Sequence, residues 1–185
     1  LKIFLLSNIK DKSFFDVGCN FGEFTKYLLN NNYKDKIYLF DVIEDLDKGI
    51  IKNDKVKFFK ILFWDKCEKL KFNVDKKVSN SGHNSAFDMN EIGYSTQSNK
   101  VEINSSTLDN FIQENNIKKV DYLKIDTEGS EYRILKGASS NLKKNFFKFI
   151  HLEFGHAAMA DRVYIKDIYD LLRPHGMNMY VIMPN

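Results

Sequence analysis

Ser13-Phe14-Phe15-Asp16-Val17-Gly18-Cys19-Asn20-Phe21-Gly22 is the stretch on which the fold turns. It opens as a compact apolar run, closes on a carboxylate and passes at once into a segment with glycine at two positions. Phe24, Tyr27 and Leu28 then recur at helical spacing, and Asn30-Asn31-Asn32 ends the pattern. A strand, a glycine-bearing loop and a helix in that order form the first unit of a doubly wound α/β sheet.

The outline returns downstream. Lys36 to Phe40 (KIYLF) predicts a second strand closed by Asp41, residues 44–51 a helix, and residues 56–62 (VKFFKIL) a third strand. Residues 63–104 are less regular: 69–74 suit an extra strand, and the polar stretch 78–98, with Gly82 and Gly93, reads as a long loop of the kind that often carries function. Ser106 or Thr107 caps a helix running to about Asn115. VDYLKI (120–125) is a strand ending at Asp126, residues 130–137 a helix stopped by Gly137, and residues 146–154 a strand. A helix over 163–173 and a last strand over 177–183 complete the series, and residues 2–9 suit a short amphipathic helix ahead of it. Without repeats, linkers or low-complexity tracts, residues 1–185 form a single domain. The chain begins at Leu1 rather than Met, which fits a piece of a longer chain.

Composition narrows the classes. Hydrophobic residues make up 43% of the 185 residues and charged residues 29%, the balance of a globular domain with a sizeable core. No apolar run reaches the ~18 residues of a membrane span. Cys19 and Cys67 lack metal-type pairing, and two isolated thiols read as reduced, which places the protein in the cytoplasm. The net charge of +3 comes from lysines interspersed with acids, a solvated surface rather than a nucleic-acid stripe.

A mainly parallel sheet binds its ligand outside the strand carboxyl ends. That puts Asp16, Asp41, Leu62-Phe63, Asp126 and Glu153 on one rim, four carboxylates that are costly to gather without a purpose. Gly18 and Gly22 let the backbone turn tightly and approach a ligand, but the spacing is not the GxGxxG of a pyrophosphate loop. An acid at the first strand end suits a cationic amine instead. Asp41, 25 positions after Asp16, stands near the ~20-residue spacing of a ribose-binding carboxylate. Together they suit the two ends of an adenosyl amino acid; taken singly, each also reads as a strand–helix turn or a helix cap.

Ser106 to Ala138, STLDNFIQENNIKKVDYLKIDTEGSEYRILKGA, resembles the signature of the FkbM family of methyltransferases: a TLD helix, a strand ending K-I-D-x-E-G-x-E, and a helix ending L-K-G-A. Asp16–Gly22 is similar to that family's D-V-G-A-N-x-G loop, with Cys19 in place of Ala, and Phe149 to Glu153 is similar to its next strand. The resemblance runs in order over residues 13–155. It implies a Rossmann-like class I methyltransferase fold, S-adenosylmethionine as methyl donor and O-methylation of a small-molecule or glycan hydroxyl. On that basis Asp16, Gly18, Asn20 and Gly22 place the methionine part and Asp41 the ribose. The Phe63-Trp64-Asp65 stretch borders the adenine, with Trp64 either flanking the base or filling core and Asp65 accepting from its amino group. Asp126, Glu128 and Glu131 become site candidates through the same motif. The sequence departs from the family at Asp41-Val42, where Glu-Pro is usual, and at Phe63-Trp64-Asp65, where small residues are usual.

Methyl transfer to a hydroxyl needs alignment and removal of a proton. The catalytic candidates are Asp126, Glu153 and His156, with His83 on the long loop and His151, more structural, behind them. Asp126, Glu153 and His156 are also residue types that hold a divalent cation. One rival is an RNA ribose 2′-O-methyltransferase, with Lys124 or Lys166 as base beside Asp126 and Glu153. Another is a non-catalytic scaffold that kept the fold.

Overall fold

The computed structural model describes residues 13–43, 46–75 and 84–182; the helix expected over residues 2–9, His83 and the end of the last predicted strand lie outside them. Five strands form an all-parallel sheet: β1 (Phe14–Val17), β2 (Ile37–Asp41), β3 (Val56–Lys60), β7 (Val120–Ile125) and β8 (Phe147–Leu152). Their order across the sheet is β3-β2-β1-β7-β8. The α/β architecture expected from the alternating pattern is what the chain adopts.

Side-chain alternation sorts the strand residues onto two faces. Phe14 aligns laterally with Ile37 and Tyr122, and these three share one core layer with Leu28 of helix α1 (Glu23–Asn30). Phe15 aligns with Tyr38 and Leu123 on the opposite face. There they pack with Phe111 of α3 (Leu108–Glu114), Ile134 and Leu135 of α4 (Glu131–Lys136), Leu142 of α5 (Ser139–Lys143) and Ile168 of α6 (Ile165–Leu172). All six residues of β7 are buried, as a central parallel strand requires.

Several boundaries differ from the sequence expectation. Of the second helix, expected over 44–51, residues 44–45 lie outside the described residues, and within them it is α2, Lys48–Ile51, started by Asp47, whose side chain accepts from Gly49 N at 2.6 Å. The third predicted strand breaks at Ile61: its last residue, Leu62, leaves the main sheet and with Phe63 forms β4 (Leu62–Phe63), which pairs with β6 (Ser98–Ser106). β6 also pairs antiparallel with β5 (Lys69–Asp75), giving a second sheet of order β4-β6-β5. β6 was not foreseen, because only Val101 and Ile103 break its run of polar residues. Thr107 caps α3, accepting from Asn110 N at 3.1 Å.

The last predicted strand is overturned: residues 177–182 form no strand, and Tyr180 is 82% exposed. Alternating apolar residues suffice for a strand only where a partner edge takes their backbone bonds. Here Met177 and Met179 pack on the core without such pairing. Gly137 does end α4, but with a right-handed φ of −68°; a Cβ there would lie 2.1 Å from the Trp64 carbonyl oxygen. Close approach, not helix termination, demands that glycine.

Candidate active site

The chain leaves β1 for β2 on one side and returns to β7 on the other, so the crevice between the ends of β1 and β7 is the switch point where such sheets bind ligands. Gly18 closes this crevice. Its φ is +75°, and a Cβ would lie 1.8 Å from the Asp126 carbonyl oxygen. Gly18 N and Cys19 N both donate to Phe40 O, which ties the loop to β2. Asn20, with φ +48°, donates from its backbone N to Asp41 Oδ2 at 2.8 Å. Asp41 Oδ1 accepts from Val42 N at 2.8 Å and Ile43 N at 3.2 Å. Burial pushes the Asp41 carboxyl above the ordinary aspartate range, and these amides oppose the shift.

A cavity of about 190 Å³ opens here. Gly18, Asn20 and Asp41 line it from the first two strand ends, Ile61 to Phe63 and Phe72 give it an apolar wall, and Asp126, Glu128 and Glu153 supply acids. A second cavity of about 240 Å³ adjoins it, lined by Tyr94, Glu131, Gly155 and His156 and by the same Asp126, Glu128 and Glu153. Three carboxylates are thus common to both. His156 begins a 3₁₀ turn (His156–Asp161), and its ring lies 5.6 Å from that of Tyr94.

Beneath the cavity the strand register builds a row of polar side chains. Asp16 on β1 aligns with Lys124 on β7, and Lys124 with His151 on β8. Asp126, two residues beyond Lys124, points to the same face. Lys124 Nζ therefore reaches both acids, 2.8 Å from Asp126 Oδ2 and 3.4 Å from Asp16 Oδ1. Burial alone would lower the Lys124 ammonium, but the two carboxylates outweigh it and hold it above the ordinary lysine value. Thr25 Oγ1 of α1 donates to Asp16 Oδ2 at 3.2 Å. Asp16 is 0% exposed and is not part of the cavity wall.

The loop after β7 carries its own support. Glu131 is 2% exposed, and its Oε1 accepts from Thr127 N at 2.8 Å, Thr127 Oγ1 at 3.1 Å and Gly129 N at 3.3 Å. Glu128 takes the left-handed φ of +52°, and its carbonyl accepts from Ser85 Oγ at 2.7 Å. Burial, then the charges of Asp126, Glu131 and Glu153, push the Glu128 carboxyl up to about 7. The Asp126 charge, followed by burial, raises Glu153.

The family model of the methyltransferase FkbM domain matches residues 16–179. The chain belongs to the FkbM methyltransferase family. No curated protein and no solved structure matched it. The FkbM match runs from the last residues of β1 to the segment beyond α6, so both cavities fall inside it.

Within this FkbM domain some expected residues sit together and others do not. Gly18, Asn20, Asp41, Asp126 and Glu153 line the first cavity, and His156 lines the second with Asp126 and Glu153. Gly22, with φ +77°, precedes α1 outside the cavity wall. Trp64 and Asp65 also lie off it. Trp64 is buried against Phe87 with Arg133 5.5 Å over its ring, and Asp65 Oδ2 pairs with Arg133 Nη1 at 3.0 Å. Leu62, Phe63 and Phe72 hold the apolar wall instead. His151 packs between the Phe24 and Tyr122 rings, and burial lowers its pKa. Lys166 is exposed on α6 and paired with Asp170. Among the described residues no three His, Cys, Asp or Glu side chains are grouped to hold a metal ion, so Asp126, Glu153 and His156 form no ligand set. Among the same residues no helix is long and apolar enough to cross a membrane.

Proposed function

We propose that this FkbM-family protein transfers a methyl group from S-adenosylmethionine to a hydroxyl of a small-molecule or glycan acceptor. The observation that carries the reading is the pair of adjoining cavities with Asp126, Glu128 and Glu153 in common. One cavity suits a donor, the other an acceptor, and the shared wall is where they would meet.

The residues of the first cavity fit an adenosyl amino acid. Gly18 and Asn20 bring backbone close to the methionine end, Asp41 offers carboxylate lone pairs to ribose hydroxyls, and Leu62, Phe63 and Phe72 present an apolar surface to the base. When bound, the donor supplies a methyl group already activated by its sulfonium charge. The protein's work is to orient the acceptor, exclude water and accept a proton.

The described lining of the second cavity has four carboxylates and no lysine or arginine. That favours a neutral or cationic acceptor and disfavours phosphate. Lys124, clamped between two acids, and Lys166, paired on the surface, are poor bases for a ribose 2′-hydroxyl enzyme. Calorimetric titration with S-adenosylmethionine and S-adenosylhomocysteine, followed by radiolabelled methyl transfer to neutral sugars, aminosugars and RNA, tests the proposal. Saturable binding near one site per chain with transfer to a sugar supports it. Binding of neither ligand favours the scaffold reading, and transfer to RNA alone would replace the acceptor class.

A further inference from the structure

We propose that Glu128 is the general base of this reaction, the carboxylate that takes the acceptor's proton. The inference rests on the methyltransferase reading above and assigns a role that neither the sequence motif nor the family match supplies.

Position is the first argument. Glu128 lines both cavities, at the boundary where an acceptor oxygen and a methyl carbon would meet. Its backbone holds a left-handed φ of +52°, a conformation that a non-glycine residue adopts only at a steric cost. Ser85 Oγ, bonded to its carbonyl, maintains it, and Ser85 is itself bridged to Asn73 of β5. Strain upheld by a second element is a mark of functional placement.

The acids around the boundary differ in how they are engaged. Asp126 is engaged by the Lys124 ammonium at 2.8 Å, and Glu131 Oε1 already accepts three donors within its own loop. Asp16 is buried below the cavity. Among the described residues neither a cation nor a hydrogen-bond donor pairs with the Glu128 carboxyl. The charged and titratable groups around it are Asp126 after β7, Glu131 of α4, Glu153 after β8, Asp41 at the end of β2, and His156 and Tyr94 across the second cavity. Burial among the three nearest acids brings its proton affinity to about 7, the range that suits proton transfer at neutral pH.

The step balances without another reagent. An oxygen lone pair of the acceptor forms the new C–O bond, and the C–S bond breaks with its electron pair passing to sulfur. The hydroxyl proton passes to the Glu128 carboxylate, which returns it to water.

The test reads binding rather than turnover. S-adenosylmethionine and S-adenosylhomocysteine share their amino-acid and adenosine groups and differ by a methyl and the sulfonium charge. The ratio of their affinities therefore isolates what the site does to that charge. Titrations from about pH 5.5 to about pH 8.5 are made on the wild type, Glu128→Gln and His156→Gln, the last because an imidazole also titrates in this window. The expected result is a preference for the sulfonium ligand that grows about tenfold as pH rises through ~7 in the wild type and His156→Gln. In Glu128→Gln the ratio stays flat while S-adenosylhomocysteine still binds, which shows that the fold survives. A flat ratio in the wild type, or a rise that persists in Glu128→Gln, overturns the assignment. Binding of neither ligand by the wild type overturns the donor reading itself, and this inference with it.

Discussion

Asp16 and Lys124 stand side by side on β1 and β7, and Lys124 Nζ lies 3.4 Å from Asp16 Oδ1 and 2.8 Å from Asp126 Oδ2. A buried acid that never reaches the cavity thus fixes the cation that fixes a cavity acid. Lys124→Met should destabilise the protein by roughly 3 kcal/mol, because it strands Asp16 without a counter-charge. The double variant Asp16→Asn/Lys124→Met should be clearly more stable than the sum of the single losses predicts. Urea unfolding of the three variants measures this, and strict additivity would show that the two groups are uncoupled.

Gly18→Ala tests how closely β1 and β7 must approach. The added Cβ would lie 1.8 Å from the Asp126 carbonyl oxygen, so the crevice has to open and donor binding should be lost. Gly93→Ala is the control: its φ is also positive, +91°, but nothing lies within 4 Å, so only backbone strain of about 1 kcal/mol is expected. Thermal unfolding and calorimetry on both variants separate collision from strain. Equal losses in the two would discount the contact.

Much of this site could be read from the sequence because local rules govern it. Val17-Gly18, Asp41 and Asp126 stand at strand ends, and strand ends on one rim are fixed by the parallel topology alone. Asp16 lies off the cavity wall because a carboxylate within β1 points into a face, not out of the end; its alignment with Lys124 depends on strand register, which periodicity does not supply. For Trp64 the core alternative is the one the fold realises, and Asp65 lies beside it off the cavity wall. The break at Ile61 sends β4 to another sheet, and Arg133, distant in sequence, then claims both side chains. Glu128 gave only a motif position, since its place on the wall common to both cavities depends on the fold around it.

Arg133 joins α4 to the turn that carries His156. Its Nε and Nη2 each donate to Asp161 at 2.7 Å, and Nη1 donates to Asp65 at 3.0 Å. Because about a third of the side chain is exposed, Arg133→Met should cost only about 1–2 kcal/mol. The more specific consequence is local. Amide hydrogen exchange should accelerate in residues 156–161 while β1 and β7 keep their protection. Uniform acceleration across the sheet would instead mean that the ion pairs support the whole domain.

Glu128 should also leave a signature in the stability profile, independent of any ligand. Its carboxyl has an ordinary value of 4.5 and is pushed to about 7 in the folded protein by burial and then by the charges of Asp126, Glu131 and Glu153. Between those values the native state holds the proton more tightly than the unfolded chain. Stability from this group is therefore fully present below about pH 4.5 and is lost as pH rises through about 7. The full shift corresponds to roughly 3 kcal/mol, and partial exposure of the side chain to water brings the expected loss to the order of 2 kcal/mol. Asp41, Glu131 and Glu153 shift in the same direction, but they are present in both the wild type and Glu128→Gln, so the difference between the two proteins reports Glu128 together with its coupling to its acidic neighbours. Measured by urea unfolding, the wild type should lose stability relative to Glu128→Gln across this window and reach a plateau above it. A difference that does not change with pH would mean that Glu128 titrates as a solvent-facing glutamate, and its position between the cavities would then have no acid–base consequence.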